Sequence, residues 1–173
     1  MQQQGMTIWF TGLSGAGKTT IGKAVEQELL HLGYRVTLLD GDILRQTLCQ
    51  DLGFSKADRE ENICRIGSLA QNLTLQGEIV LVCTIAPYRH QREALKQQIT
   101  NFIEVYVNTP IEICEQRDVK GLYKKARCGE ITNFTGIEDP YEPPLNPDIK
   151  CKTDCETLRE CVNKVMVKMI CYK

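Results

Sequence analysis

Gly12-Leu13-Ser14-Gly15-Ala16-Gly17-Lys18-Thr19 is the stretch with the clearest chemistry in this chain. Its spacing, G-x-x-x-x-G-K-[ST], suits one task. Glycines let the backbone turn so that successive N–H groups converge on phosphate oxygens. The helix that follows adds its positive end. Lys18 supplies a point charge for the β- and γ-phosphates of a nucleoside triphosphate, and Thr19 a hydroxyl for Mg²⁺. A second group follows at Asp40-Gly41-Asp42. A carboxylate there can take a proton from an attacking hydroxyl or hold a magnesium-bound water, the alternative being a turn shaped around Gly41. A third set, Arg45, Phe54, Arg59, Asn62 and Arg65, fits an acceptor that carries both an anion and an aromatic ring. Arginine clamps anions bidentately and phenylalanine stacks on a base, although each of these residues taken singly is better explained by solvation, capping or, for Phe54, packing.

The elements that must carry these groups alternate between strand and helix. Met6 to Thr11 reads as a short buried strand leading into the glycine turn. Lys18 to Leu32 has helical spacing of Ile21, Val25, Leu29 and Leu32 and stops at Gly33. Arg35 to Leu39 predicts a second strand, Ile43 to Gln50 a short helix, and Lys56 to Gln76 a longer helix capped by Ser55. Glu78 to Ile85 and Phe102 to Val107 read as buried strands, with Pro110 opening another helix. Leu122 to Pro147 is polar and proline-rich and predicts a mobile lid, about residues 118–136, followed by an irregular excursion. Ile149 to Thr153 and Glu156 to Ile170 complete the pattern as a last strand and an amphipathic helix. The class this predicts is α/β: one P-loop NTPase-type domain over residues 1–173, a doubly wound parallel sheet with helices on both faces. Strands one and two then bring the phosphate loop and Asp40-Gly41-Asp42 to the same sheet edge.

Composition narrows the partners. Twenty-one Lys and Arg against 22 Asp and Glu leave a formal net charge of −1, which gives no general field for nucleic acid or an anionic membrane. No stretch approaches the roughly 18 apolar residues of a membrane span, and the first residues lack leader character, so a cytoplasmic location is expected. The nine cysteines include no Cys-x-x-Cys pair, and neither His31 nor His90 is near paired cysteines, which argues against a disulfide framework or zinc site. A GTPase switch would read guanine with N-K-x-D. Here the one Asn-Lys, Asn163-Lys164, is followed two places on by Met166, and the strand 78–85 ends without an acidic residue.

Further stretches extend the pattern: Asp51-Leu-Gly-Phe-Ser55, Asp58-Arg59, Glu61-Asn62-Ile63, Pro87-Tyr88-Arg89, Arg117 through Arg127, Gly129-Glu-Ile131, and Phe134 through Glu142. Together with Gly12 to Thr20 and Asp40-Gly-Asp42 with Arg45, they resemble the adenylyl-sulfate kinase (APS kinase) family over nearly the whole chain. The resemblance implies a P-loop kinase, usually a homodimer, that uses Mg²⁺ and ATP to phosphorylate the 3′-hydroxyl of adenylyl sulfate. Carried over residue by residue, it implies Asp42 as general base beside Lys18, and an ATP site of Gly12, Leu13, Ser14, Gly15, Ala16, Gly17, Lys18, Thr19 and Thr20, with Arg117 and Arg127 attending. Thr19 would meet the metal. Asp40, Arg45, Phe54, Arg59, Asn62, Ile85, Ala86, Pro87, Lys120 and Phe134 would form the acceptor site. Two positions depart from the family pattern: Ala86 stands where the family has serine, and Cys64 where it tends to have arginine. Another small P-loop kinase, of the gluconate or nucleoside-monophosphate type, or a catalytically weakened relative, are the alternatives.

Overall fold

A computed structural model describes residues 3–172. Strands β1 (Met6–Thr11), β2 (Val36–Asp40), β3 (Ile79–Cys83), β4 (Phe102–Val107) and β5 (Ile149–Cys151) form one sheet, every pairing parallel, in the order β2-β3-β1-β4-β5. The order steps one way from β1 to β3 and the other way to β4, so a crevice opens at the carboxyl ends of these central strands. Open parallel sheets bind ligands at such a switch point. All six residues of β1 and all five of β3 are buried, as strands covered on both faces require.

Alternation along each strand divides the core in two. Ile8, Phe10, Leu81 and Val105 face α1 (Lys18–His31) and α7 (Leu158–Ile170), together with Val25, Leu29 and Val165. Trp9, Val80 and Val82 face α3 (Lys56–Leu75) and α4 (Arg89–Gln98), with Ile63, Ile66 and Leu95. Capping boxes fix where two of these helices begin. Ser55 and Asp58 exchange side-chain and backbone bonds at the start of α3, and Thr157 and Glu160 do so at α7.

Two segments differ from their sequence reading, and a third, α4, has none. The helix expected over 43–50 is only a turn long, α2 (Gly41–Leu44). It is capped by Asp40 and then relaxes into tighter turns, in which Gln46 N–H donates to Ile43 and Thr47 N–H to Leu44. The polar stretch after residue 117 is less irregular than its composition suggests. After α5 (Ile111–Arg117) it forms α6 (Leu122–Arg127), which buries Tyr123 and Ala126 on one face. Helix α4 has no apolar periodicity to announce it, because two of its three buried residues are Gln91 and Arg92. No described helix is long and apolar enough to cross a membrane.

The switch point is tight. Gly12 leaves β1 with φ +151°, and a Cβ built there would stand 2.4 Å from the Val107 carbonyl oxygen, a backbone atom that cannot swing aside. Gly12→Ala should therefore lower the unfolding free energy by at least about 2 kcal/mol in denaturant titrations without nucleotide, the scale of a strained backbone plus a close contact. A loss below about 0.5 kcal/mol would contradict this packing.

Candidate active site

At the end of β1 the chain turns through Gly12, Gly15 (φ +74°) and Gly17 (φ +106°) into α1. These positive φ values are cheap only for glycine. They let the loop wrap the side chain of Lys18, which is buried at 8% exposure. Its Nζ donates to the carbonyl oxygens of Gly12 (2.9 Å) and Leu13 (2.7 Å). Burial pulls its pKa down from 10.5 to about 8, with only small opposing help from Cys83, Asp42 and Cys114. An ammonium buried against neutral carbonyls is a site that an anion would stabilise.

Thr19 lies next along α1, and its hydroxyl donates to Asp40 Oδ2 at 2.8 Å. The other oxygen of Asp40 accepts from the Asp42 backbone N–H at 2.8 Å, so this carboxylate caps α2 and ties it to the phosphate loop. The cap leaves Asp42 65% exposed at the cavity, where Lys120 Nζ pairs with its Oδ2. The two aspartates thus separate into a buried one that organises and an exposed one held by Lys120.

One cavity of about 890 Å³ joins these groups. On the β2–β3 side it is lined by Arg45, Phe54, Arg59, Asn62, Ile85, Ala86 and Pro87, with Phe134 from the segment after α6. Phe54 is 62% exposed and flanked by two guanidiniums, Arg45 at 4.7 Å and Arg59 at 5.8 Å from its ring centroid. Arg59 donates to the Phe54 carbonyl (2.9 Å), to Thr135 Oγ1 (2.6 Å) and to the Asn133 carbonyl. Asn62 is buried and its Oδ1 has no hydrogen-bond partner, a costly condition unless a ligand relieves it. On the other side the cavity runs past Arg117 to Thr153, Glu156, Leu158 and Cys161. Arg117 donates to Thr153 Oγ1 at 2.8 Å and to the Thr153 carbonyl at 2.7 Å.

Most of the residues singled out in the sequence converge here. Gly12, Leu13, Ala16 and Asp40 do not line the cavity but support it from behind, and Thr20 lines it beside Thr19. Arg65 stays outside, paired with Asp51 and Glu61. So does Arg127. It points away from the cavity and pairs with Glu115, because its place at the end of α6 puts it beside α5. Sequence reading also missed a buried network beneath the acceptor side. Arg92, 2% exposed, donates to Glu104 Oε1 (2.9 Å), to the Ala86 carbonyl and to the Glu142 carbonyl, and lies 5.6 Å from the Tyr141 ring centroid. Tyr141 OH meets Thr11 Oγ1 at 2.9 Å, and that hydroxyl donates to the Ile85 carbonyl. The network holds Ala86 in a left-handed conformation, φ +44°, that alanine rarely adopts. Burial pushes the Glu104 pKa up and Arg92 opposes that shift. Only its position in the fold reveals this arginine.

A glycine loop around a buried lysine, a hydroxyl–carboxylate pair beside it and a parallel sheet of this order define a P-loop phosphotransferase. The adenylylsulphate kinase family profile matches residues 4–152, and the chain belongs to that family. It is 62% identical over 169 residues to the adenylyl-sulfate kinase of Rippkaea orientalis, covering 98% of this chain and 93% of that protein. The structure of the Mycobacterium tuberculosis APS kinase CysC in complex with AMPPNP and APS is similar at a TM-score of 0.92 and 45% identity, over 96% of this chain and 98% of that one. A gluconokinase from Sinorhizobium meliloti shares the fold at a TM-score of 0.60, over 97% of this chain and 93% of that one, but is only 18% identical.

Removing Arg92 alone would strand a buried carboxylate. Arg92→Met should cost about 3–5 kcal/mol of stability in denaturant unfolding, and Glu104→Gln in that background should recover part of the loss. Additive effects of the two substitutions would show that the pair is not coupled.

Proposed function

We propose that this chain transfers the γ-phosphoryl group of ATP to the 3′-hydroxyl of adenylyl sulfate, giving 3′-phosphoadenylyl sulfate and ADP. The observation that carries this reading is the two-sided cavity. The phosphate loop divides a nucleotide side at Arg117 and Thr153 from an acceptor side that pairs an exposed ring, Phe54, with two guanidiniums. An acceptor with a nucleobase and an anionic group satisfies that second side. Gluconate has no ring to set against Phe54.

In this reading ATP lies with its β- and γ-phosphates on Lys18 and the loop N–H groups, and Arg117 attends the nucleotide. Thr19 Oγ1 and Asp40, 2.8 Å apart, are hard oxygen donors of the kind that suits Mg²⁺, directly or through its waters. That ion would neutralise charge on the transferring phosphoryl group. Asp42 accepts the proton of the 3′-hydroxyl, which requires Lys120 to leave its carboxylate and turn to the substrate's anion. Arg45, Arg59 and Asn62 hold the phosphosulfate and ribose, and Phe54 and Phe134 the acceptor adenine. Ile85, Ala86 and Pro87 shape the floor. The methyl group of Ala86 has no lone pair, so transfer is direct and in line, without a phosphoenzyme at that position. Positioning and charge suffice for a loose phosphoryl transition state. Residues 118–136 act as the lid, a role supported by the contacts of Lys120 with Asp42, Tyr123 OH with the Ser14 carbonyl and Thr135 with Arg59. The homodimer implied by the family resemblance and a cytoplasmic location belong to the same proposal.

Coupled ADP-release assays test the acceptor. Adenylyl sulfate should stimulate ADP formation at least about 100-fold more than AMP, because AMP lacks the sulfate that the acceptor-side arginines and Lys120 would meet. Asp42→Asn should lower kcat about 100-fold or more while leaving ATP affinity within about twofold. Equal turnover with AMP would refute the acceptor, and an Asp42→Asn enzyme that turns over like the parent would refute the base.

A further inference from the structure

Beyond the phosphotransfer chemistry, we propose that Cys151, Glu156 and Cys161 form a binding site for a thiophilic divalent cation, of the zinc or cadmium type, in the nucleotide-side wall of the cavity. Their three donor atoms lie within 4.8 Å of one another, the one such cluster among the described residues. Cys151 ends β5, Cys161 lies in α7, and Glu156 sits in the loop between them. A tetrahedral ion with Zn–S near 2.3 Å and Zn–O near 2.0–2.2 Å holds such donors roughly 3.5–4 Å apart, so the cluster needs to contract by only about 1 Å.

Three features make this more than two neighbouring core thiols. Glu156 is already oriented from outside the cluster. Its Oε1 accepts from Lys164 Nζ at 2.6 Å, and its Oε2 from the Lys152 N–H at 3.1 Å. Ligating carboxylates are typically held in this way. The thiol protons are weakly engaged, Cys161 Sγ donating to Glu156 Oε2 at 3.6 Å and Cys151 Sγ to the Cys161 carbonyl at 4.0 Å. Finally, the charges balance. A divalent cation displaces the two thiol protons to solvent and forms two metal–sulfur bonds. The ion (+2), two thiolates (−2), Glu156 (−1) and Lys164 (+1) then sum to zero, the same sum as before loading. A neutral cluster avoids the penalty of a net charge in a buried site. Magnesium does not displace thiol protons, and its charge would stay uncompensated there. Two sulfur donors favour metals that bind sulfur strongly over magnesium. Glu156 and Cys161 both line the cavity, which provides an entry path. The 151–156–161 spacing matches no familiar metal motif, so the sequence-based expectation of no zinc site could not register a cluster assembled by the fold.

The test uses the full chain with the four exposed cysteines, Cys64, Cys128, Cys155 and Cys171, replaced by serine. Cadmium is titrated in weak buffer without nucleotide, following thiolate-to-metal ultraviolet absorption and proton release. One equivalent should saturate the band and release two protons, and millimolar Mg²⁺ should not displace it. Glu156→Gln should weaken binding about tenfold and Cys161→Ser at least about 100-fold. Zinc should displace the cadmium band with the same one-to-one stoichiometry. Absence of a saturable band would overturn the site, as would a band unchanged in Cys161→Ser, which would assign it to Cys49, Cys83 or Cys114. Should Cys161→Ser fail to fold, the proton count and Glu156→Gln decide alone: fewer than two protons, or unaltered affinity, rejects the three-donor site.

Discussion

A buried ammonium with no carboxylate against it is the condition on which the rest of this structure depends. Lys18 is held by carbonyl oxygens alone, and desolvation brings its pKa to about 8. The sheet edge must open there to admit it, which is why β1 ends at a glycine pressed against the Val107 carbonyl. The start of α1 must pack closely on β3 to present it. Gly22 is the contact, since a Cβ there would come within 2.5 Å of Cys83 Sγ. The carboxylates nearest the loop are kept off Lys18 by other bonds, Asp40 by Thr19 and the α2 cap, Asp42 by Lys120. A cation so isolated favours whichever anion can reach it, and the loop's N–H groups and the α1 dipole favour phosphate.

The acceptor side follows a different logic. Its arginines are satisfied by protein groups, Arg45 by the Gly53 carbonyl and Arg59 by Thr135 and two carbonyls. Guanidiniums with five donors can keep such bonds and still meet an anion, so the site is oriented before substrate arrives. Beneath it, Arg92 ties Ala86 to the chain at Glu142, and Tyr141 ties Thr11 to the same floor. The segment that returns from the lid and the loop that carries Pro87 therefore share one buried network.

Much of this was legible in the sequence because it depends on short-range rules. The phosphate loop, the alternation of buried strands with helices, the Ser55 cap and the two aspartates after β2 are each fixed by a few neighbouring residues. The site residues around Arg45, Phe54, Arg59 and Asn62 were legible as a set, although the role of Asp40 as a cap emerges only when Thr19 is seen against it. Other features depend on contacts far apart in the chain. Helix α4 buries polar residues, so its periodicity is silent, and Arg92 finds Glu104, Ala86 and Glu142 only through the fold. Helix α6 forms within a polar stretch because Tyr123 and Ala126 have a core to enter. Arg127 carries the charge expected of a phosphate contact, but the direction of α6 turns it toward Glu115. Cys151 and Cys161 are ten positions apart and meet because α7 doubles back on β5.

Bound phosphate should stabilise the charged form of Lys18 against the desolvation that lowers its pKa. Calorimetric titration of Mg·ADP at pH 8, in buffers of differing ionisation enthalpy, measures the proton change directly. Burial lowers the Lys18 pKa to about 8, and bound phosphate raises it again, so binding at pH 8 should take up protons. The uptake should fade by about pH 6.5 and be absent in Lys18→Arg, whose side chain stays charged. No uptake at pH 8, or equal uptake in Lys18→Arg, would contradict the account.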